Sequence, residues 1–192
     1  MEKAFISEGK FTLQEKRIML NIARETLSHY LNTGKILDYD ESILPDILLI
    51  EKGVFVSLHK GRALRGCTGR MQSDRPLYSM VQKQVISAAM NDSRFPPVKF
   101  SELDQLCIEI SVLGDLQRIH SPDEIQPGIH GIFIRQGHAS GTFLPQVAIT
   151  TGWNVEELLG HCSKEKAGIG WDGWKNSELY IYTAEVFSEA EC

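Results

Sequence analysis

The sequence predicts an α+β fold, with a mainly antiparallel sheet, flanking helices and a hint of two related halves. Two observations carry this. Short alternating segments outnumber helical ones and are joined by tight turns, which favours hairpins over crossover connections. The order hairpin, helix, strand also occurs twice, once in residues 54–114 and once in residues 130–187. The 192 residues suit one domain made of two intimately packed subdomains, and no composition shift or linker marks a boundary.

The first segment, "TLQEKRIMLNIARETLSHYLNTG" (12–34), is predicted helical. Thr12 and Glu15 have capping-box spacing, Ile22, Ala23, Leu27, Tyr30 and Leu31 recur at helical period, and Gly34 supplies a stop. "VFVSLHKGRALRGCTG" (54–69) predicts a hairpin turning at Lys60-Gly61. A second helix is expected from near Pro76, capped by Ser73 or Asp74, with Leu77, Val81, Val85 and Ala88 on one apolar stripe. Pro96 and Pro97 in "NDSRFPPV" keep that helix from continuing.

"LCIEISVLG" (106–114) alternates Ile108, Ile110 and Val112 against Glu109 and Ser111, so a strand with one polar face is expected. "HGIFIRQG" (130–137) and "GTFLPQVAI" (141–149) predict two further strands around a turn. "VEELLGHCSKEKAG" (155–168) predicts a helix ended by Gly168, and "ELYIYTAEVF" (178–187) a final strand.

Composition excludes several classes. The net charge of −5 argues against a general nucleic-acid binder, which normally carries a basic surplus or a basic face. The local basic cluster His59, Lys60, Arg62, Arg65 and Arg70 fits one small anion better than a duplex. The best apolar run, "ILPDILLI" (43–50), is interrupted by Pro45 and Asp46, so no membrane span is expected. The N-terminal stretch lacks the apolar core of a signal peptide, and Cys67, Cys107, Cys162 and Cys192 are scattered. Free thiols and a cytoplasmic location are therefore expected.

"ALRGCTGR" (63–70) is the stretch with most chemical content. It nearly imitates a phosphate-binding loop, but Cys67 replaces the lysine and the segment ends a hairpin, so a nucleotide triphosphatase is rejected. Arg65 and Arg70 are placed to lower the pKa of Cys67, and Arg65 shares a face with Cys67 in regular extended geometry. Gly66 and Gly69 leave room for a ligand beside the backbone. The competing reading is a small residue buried in a strand. His130, between two glycines at a strand entrance, is a candidate acid/base partner or a hydrogen-bonded structural histidine. Glu109 is either solvent-facing or an acid on an enclosed polar face, able to pair with Arg65 or Arg94. Gln146 either orients a ligand or satisfies a loop, and Trp153, Trp171 and Trp174 either stack on a ring or are buried. No cysteine or histidine spacing suggests a metal site, and no cofactor is implied.

Taken in order, "LRGCTG", "DSRFPPV", "EISVL", "GIHGIFI", "GTFLPQVA" and "WNVEELLGHCSKEKAG" resemble the AMMECR family, whose prokaryotic members are called AmmeMemoRadiSam system protein A. The likeness runs from about residue 12 to residue 187, with Thr68 where the family signature has isoleucine. The resemblance implies the barrel-like antiparallel fold and a cleft where the LRGC segment meets the other motifs. It implies association with a Memo-type protein and a radical S-adenosylmethionine enzyme, and a regulatory role in transcription or translation has been suggested for the family. It supplies no reaction.

Matched position by position, the motifs select Arg65, Gly66, Cys67, Gly69, Arg94, Glu109, His130 and Gln146. Two functions follow as expectations. In one, Arg65 and Arg94 hold a small or peptide-borne acidic group, Cys67 is the nucleophile or redox group, His130 is its acid/base partner, Glu109 is a further catalytic candidate, and Gln146 orients the ligand. In the other, the same cleft belongs to a non-catalytic ligand- or protein-binding regulatory module.

Overall fold

In the computed structural model, which describes residues 11–190, α1 runs from Leu13 to Thr33. Its capping box is formed as expected: the Thr12 hydroxyl accepts from the Glu15 amide, and the Glu15 carboxylate accepts from the Thr12 amide at 2.7 Å. Gly34, at φ 72°, ends the helix in the left-handed conformation that only glycine adopts readily. β1 (Val54–Lys60) and β2 (Ala63–Arg70) form the first hairpin, with Gly61 at φ 60° in the turn. α2 spans Leu77–Met90, and all four residues of its expected stripe are buried. Its expected cap is corrected: Pro76 occupies the N-cap, while the Ser73 hydroxyl accepts from the Arg75 amide. β3 (Leu106–Leu113) follows a 3-10 turn over Phe100–Gln105.

The second half contains β4 (Gln117–Ile119), β5 (Gly131–Gln136), β6 (Ala139–Phe143), α3 (Pro145–Thr151), α4 (Val155–His161), β7 (Glu178–Tyr182) and β8 (Ala184–Ser188). Three expectations change here. The segment 141–149 is not one strand, because Pro145 takes the first position of α3, where its missing N–H costs nothing. The segment 178–187 is split at Thr183, so β7 and β8 belong to different sheets. α4 is shorter than expected and continues as a π-helical turn over Cys162–Lys166, before Gly168 at φ 69°.

The α+β class and antiparallel pairing hold, with the strands divided between two four-stranded sheets, ordered β2-β1-β3-β8 and β4-β7-β5-β6. The relation between halves is visible in that order. In each sheet a hairpin is extended by the strand that follows the intervening helical segment: β2-β1-β3 in one and β6-β5-β7 in the other. The next strand of each half then joins the other half's sheet, β4 after β3 and β8 after β7.

The chain accordingly divides into two units, one reaching Val112 and resuming at Glu185, the other Leu113–Ala184. In the first, Met19, Ile22, Ala23 and Leu27 of α1 and Val81, Val85 and Ala88 of α2 share a core with Val54, Val56, Leu58, Ile108 and Ile110. Full burial of each larger aliphatic side chain is worth about 1.5–3 kcal/mol. In the second, Ile132, Ile134 and Ile181 pack with Leu158 and Leu159 of α4. Among the described residues, no helix is long and apolar enough to cross a membrane. The N-terminal stretch through Lys10 and Cys192 lie outside the described residues.

Candidate functional site

The β1–β2 register decides what the LRGC segment can do. Val56 and Leu58 are fully buried on the helix-covered face, so Phe55, Ser57 and His59 alternate onto the other. Cys67 pairs with Ser57, and Ser57 pairs with Glu109 of β3, so these three side chains form a row across the sheet. With neighbouring strands about 4.8 Å apart, Cys67 and Glu109 are separated by about 10 Å of backbone.

The regular alternation fails at Arg65. Leu58 pairs with Gly66 but His59 pairs with Leu64, leaving Arg65 as the extra residue of a β-bulge. The bulge directs the guanidinium to the open edge of β2. There Nε and Nη2 donate to the two carboxylate oxygens of Glu102 at 3.1 and 3.0 Å, and Nη1 donates to the Pro96 carbonyl at 2.9 Å. The expected pairing of Arg65 with Glu109 is corrected: the partner is Glu102, on the 3-10 turn before β3. Glu102 also accepts from the Lys99 amide at 3.0 Å, and the Arg65 hydrogen bond holds its carboxyl down, from 4.5 to about 2.

Asp92 is the second organiser of this edge. Its side chain is only 7% exposed, and it accepts from the Cys67 amide at 2.8 Å and from Arg94 Nε and Nη2 at 2.9 and 2.7 Å. Hydrogen bonding to Arg94 holds the Asp92 carboxyl well below the usual carboxylate range. An edge strand exposes unpaired amides, and the 91–97 segment supplies a carboxylate to one of them. Both arginines expected to capture a ligand thus already have carboxylate partners. Arg94 remains half-exposed and lies 5.4 Å from the Phe95 ring centroid.

Cys67 is half-buried, and the Ser57 hydroxyl donates to its sulfur at 3.3 Å. Burial pushes the thiol up, outweighing the lowering from Ser57 and Arg94. The expectation that Arg65 and Arg70 depress this pKa is therefore corrected: Arg94 is the cation that lowers it, and burial outweighs that effect. Glu109 is half-buried, with His59 Nε2 4.0 Å from its Oε1.

The two glycines are also not vacant space. A Cβ on Gly66 would lie 2.1 Å from the Ala88 carbonyl of α2, and one on Gly69 2.2 Å from the Phe55 ring. Gly66 lets the helix approach the strand, and Gly69 receives the cross-strand aromatic ring. Thr68, the departure from the family signature, donates to Gln84 of α2, whose carbonyl O and Oε1 lie at 3.1 and 3.0 Å.

Arg65, Gly66, Cys67, Gly69, Arg94 and Glu109 belong to the first unit, whereas His130 and Gln146 belong to the second. His130 closes the turn into β5: its amide donates to the Gln126 carbonyl at 2.9 Å, and its Nδ1 accepts from the Gln126 amide at 3.2 Å. Gln146 is the second residue of α3, not a loop residue. Trp153 stacks on His161 with ring centroids 3.8 Å apart, and Trp171 meets the same imidazole edge-on at 4.9 Å. Among the described residues, no group of three or more His, Cys, Asp or Glu could hold a metal ion.

Sequence reasoning missed Asp92, Glu102 and Ser57. Asp92 lies inside "DSRFPPV", whose prolines drew attention to helix termination. Its polar residues carried the other signal, an acid two residues before an arginine.

The AMMECR1 family model matches residues 20–187. Protein MK0488 of Methanopyrus kandleri is 40% identical over 194 residues, covering 95% of this chain and 92% of the relative. A protein of Methanosarcina acetivorans is 35% identical over 188 residues, with 94% of each chain covered. The crystal structure of uncharacterized protein PH0010 from Pyrococcus horikoshii superposes with a TM-score of 0.90 at 34% identity, covering 95% of both chains. With that family match spanning the two sheets and the LRGC edge, the chain belongs to the AMMECR1 family.

Proposed function

We propose that this chain is a non-catalytic binding module of regulatory type, in which the LRGC segment builds the site's frame and does not perform thiol chemistry. One observation carries the reading: Arg65 and Arg94 are paired with Glu102 and Asp92, and burial pushes the Cys67 thiol up despite the lowering from Arg94 and Ser57. A nucleophilic cysteine needs thiolate at working pH, which calls for unneutralised positive charge nearby. The sheet face carrying Ser57, Cys67 and Glu109 then serves for recognition of a ligand or peptide-borne polar group. The family resemblance supports partnership with a Memo-type protein and a radical S-adenosylmethionine enzyme. The free Cys67, Cys107 and Cys162 support a cytoplasmic location.

The test is peptide-mapped alkylation of Cys67 as a function of pH. Labelling that rises only above the ordinary thiol range supports the module. Fast, selective labelling of Cys67 at neutral pH, with a depressed apparent pKa, would instead establish an activated nucleophile.

A further inference from the structure

The surface between β2 and α2 differs from the edge held by Asp92. A groove of about 450 Å³ lies there, lined by Thr68, Gly69, Arg70, Asp74, Arg75, Met80, Lys83, Gln84 and Ser87. Three of these residues are cations and one is an acid, a local surplus of +2 (three minus one) in a chain of net charge −5. The Arg70, Arg75 and Lys83 side chains form no ion pair with the described residues, unlike Arg65 and Arg94.

A second observation is independent of charge. Gln84 is only 7% exposed, and its Oε1 lies within hydrogen-bond distance of the Thr68 hydroxyl. Its amide nitrogen donates to nothing among the described residues, and it lines the groove. That nitrogen is itself open to solvent in the groove, so it stands there as an available donor although most of the side chain is buried. The groove therefore presents two guanidinium groups, one ammonium and an amide donor, with the Ser87 hydroxyl beside them.

We propose that this groove binds a small phosphate-bearing anion. A phosphate group offers several charged acceptor oxygens, which suits two planar guanidinium forks and an ammonium together better than a single carboxylate does. The volume lies in the usual range of small-molecule sites, so there is room for an organic body beside the phosphate, with Met80 as an apolar wall. A polynucleotide would require a longer basic track, and the acidic balance of the chain opposes one. The groove does not involve the Cys67 thiol, so the inference stands whichever way the alkylation experiment falls.

The experiment is a titration of the full chain with pyrophosphate, followed by amide ¹H–¹⁵N spectra, against sodium chloride at matched ionic strength. Saturable shifts confined to residues 68–70 and 83–87 are expected with pyrophosphate and not with chloride. Arg75→Gln and Lys83→Gln should each weaken that binding about tenfold or more, because each removes charged hydrogen bonds to the anion. Arg75 is exposed, so its variant keeps the fold if the other does not. Equal shifts with chloride, shifts centred elsewhere, or undiminished affinity in the folded variants would overturn the assignment. Tighter binding of a single-stranded RNA oligomer than of pyrophosphate at the same surface would overturn the small-ligand reading.

Discussion

The two sides of β2 carry the same residue types put to opposite uses. On the open edge, Arg65 and Arg94 meet Glu102 and Asp92, and their charge is consumed in holding the 91–105 segment against the strand. On the α2 side, Arg70, Arg75 and Lys83 surround a groove without a carboxylate paired to any of them. The difference shows that a basic residue in a motif says little about ligand capture until its partner is known. An arginine with a carboxylate across its fork is a strut, and one without is available.

The comparison breaks first at its strut side. Asp92→Ala removes a nearly buried carboxylate that accepts from Arg94 and from the Cys67 amide, leaving the amide without an acceptor and Arg94 without its ion-pair partner. We expect a loss of about 2–3 kcal/mol of stability, measured by urea denaturation. A loss below about 0.5 kcal/mol would show that the 91–97 segment does not depend on this hub.

Acid is the next lever. The folded-state values of Glu102 and Asp92 both lie below their ordinary values, so their contribution is complete above about pH 4.5 and disappears as pH falls through the folded values, about 2 for Glu102. Melting temperature should therefore decline across that window, and Glu102→Gln should flatten part of the decline. A Glu102→Gln profile parallel to that of the parent chain would show that the Arg65 pair contributes nothing to acid stability.

The smallest effect belongs to the groove. Arg70→Ala and Arg75→Gln remove charges with no folded-state partner and should change stability by no more than about 0.5 kcal/mol in either direction. Thermal melts at low salt check this. A substantial loss at either position would mean that these cations also hold the fold together.

Much of this architecture is legible in the sequence where local chemistry decides it. Thr12, Glu15 and Gly34 delimit α1, Gly61 marks the hairpin turn, and the stripe from Leu77 to Ala88 gives the buried face of α2. Decisions taken between distant elements are not legible. Residues 178–187 alternate as one strand would, yet the chain changes sheet at Thr183, whose carbonyl accepts from the Gly114 amide at 2.8 Å. A period of two cannot report which neighbour a strand chooses.

The same limit applies to the site. Arg65 is visible as a cation, but its bulge depends on the β1 register, and its carboxylate lies 37 residues away. Asp92 is 25 residues from the amide it caps. Gly66 and Gly69 are visible as glycines, but what fills the space beside them is set by α2 and Phe55.

The central claim, that the motif arginine is a strut, is tested most directly by a double-mutant cycle of Arg65→Lys with Glu102→Gln, read as unfolding free energy. The bidentate, mostly buried pair predicts a coupling of at least about 1 kcal/mol, while the same cycle with Glu109→Gln should be additive to within about 0.5 kcal/mol. Additivity for Arg65 with Glu102, or strong coupling of Arg65 with Glu109, would contradict it.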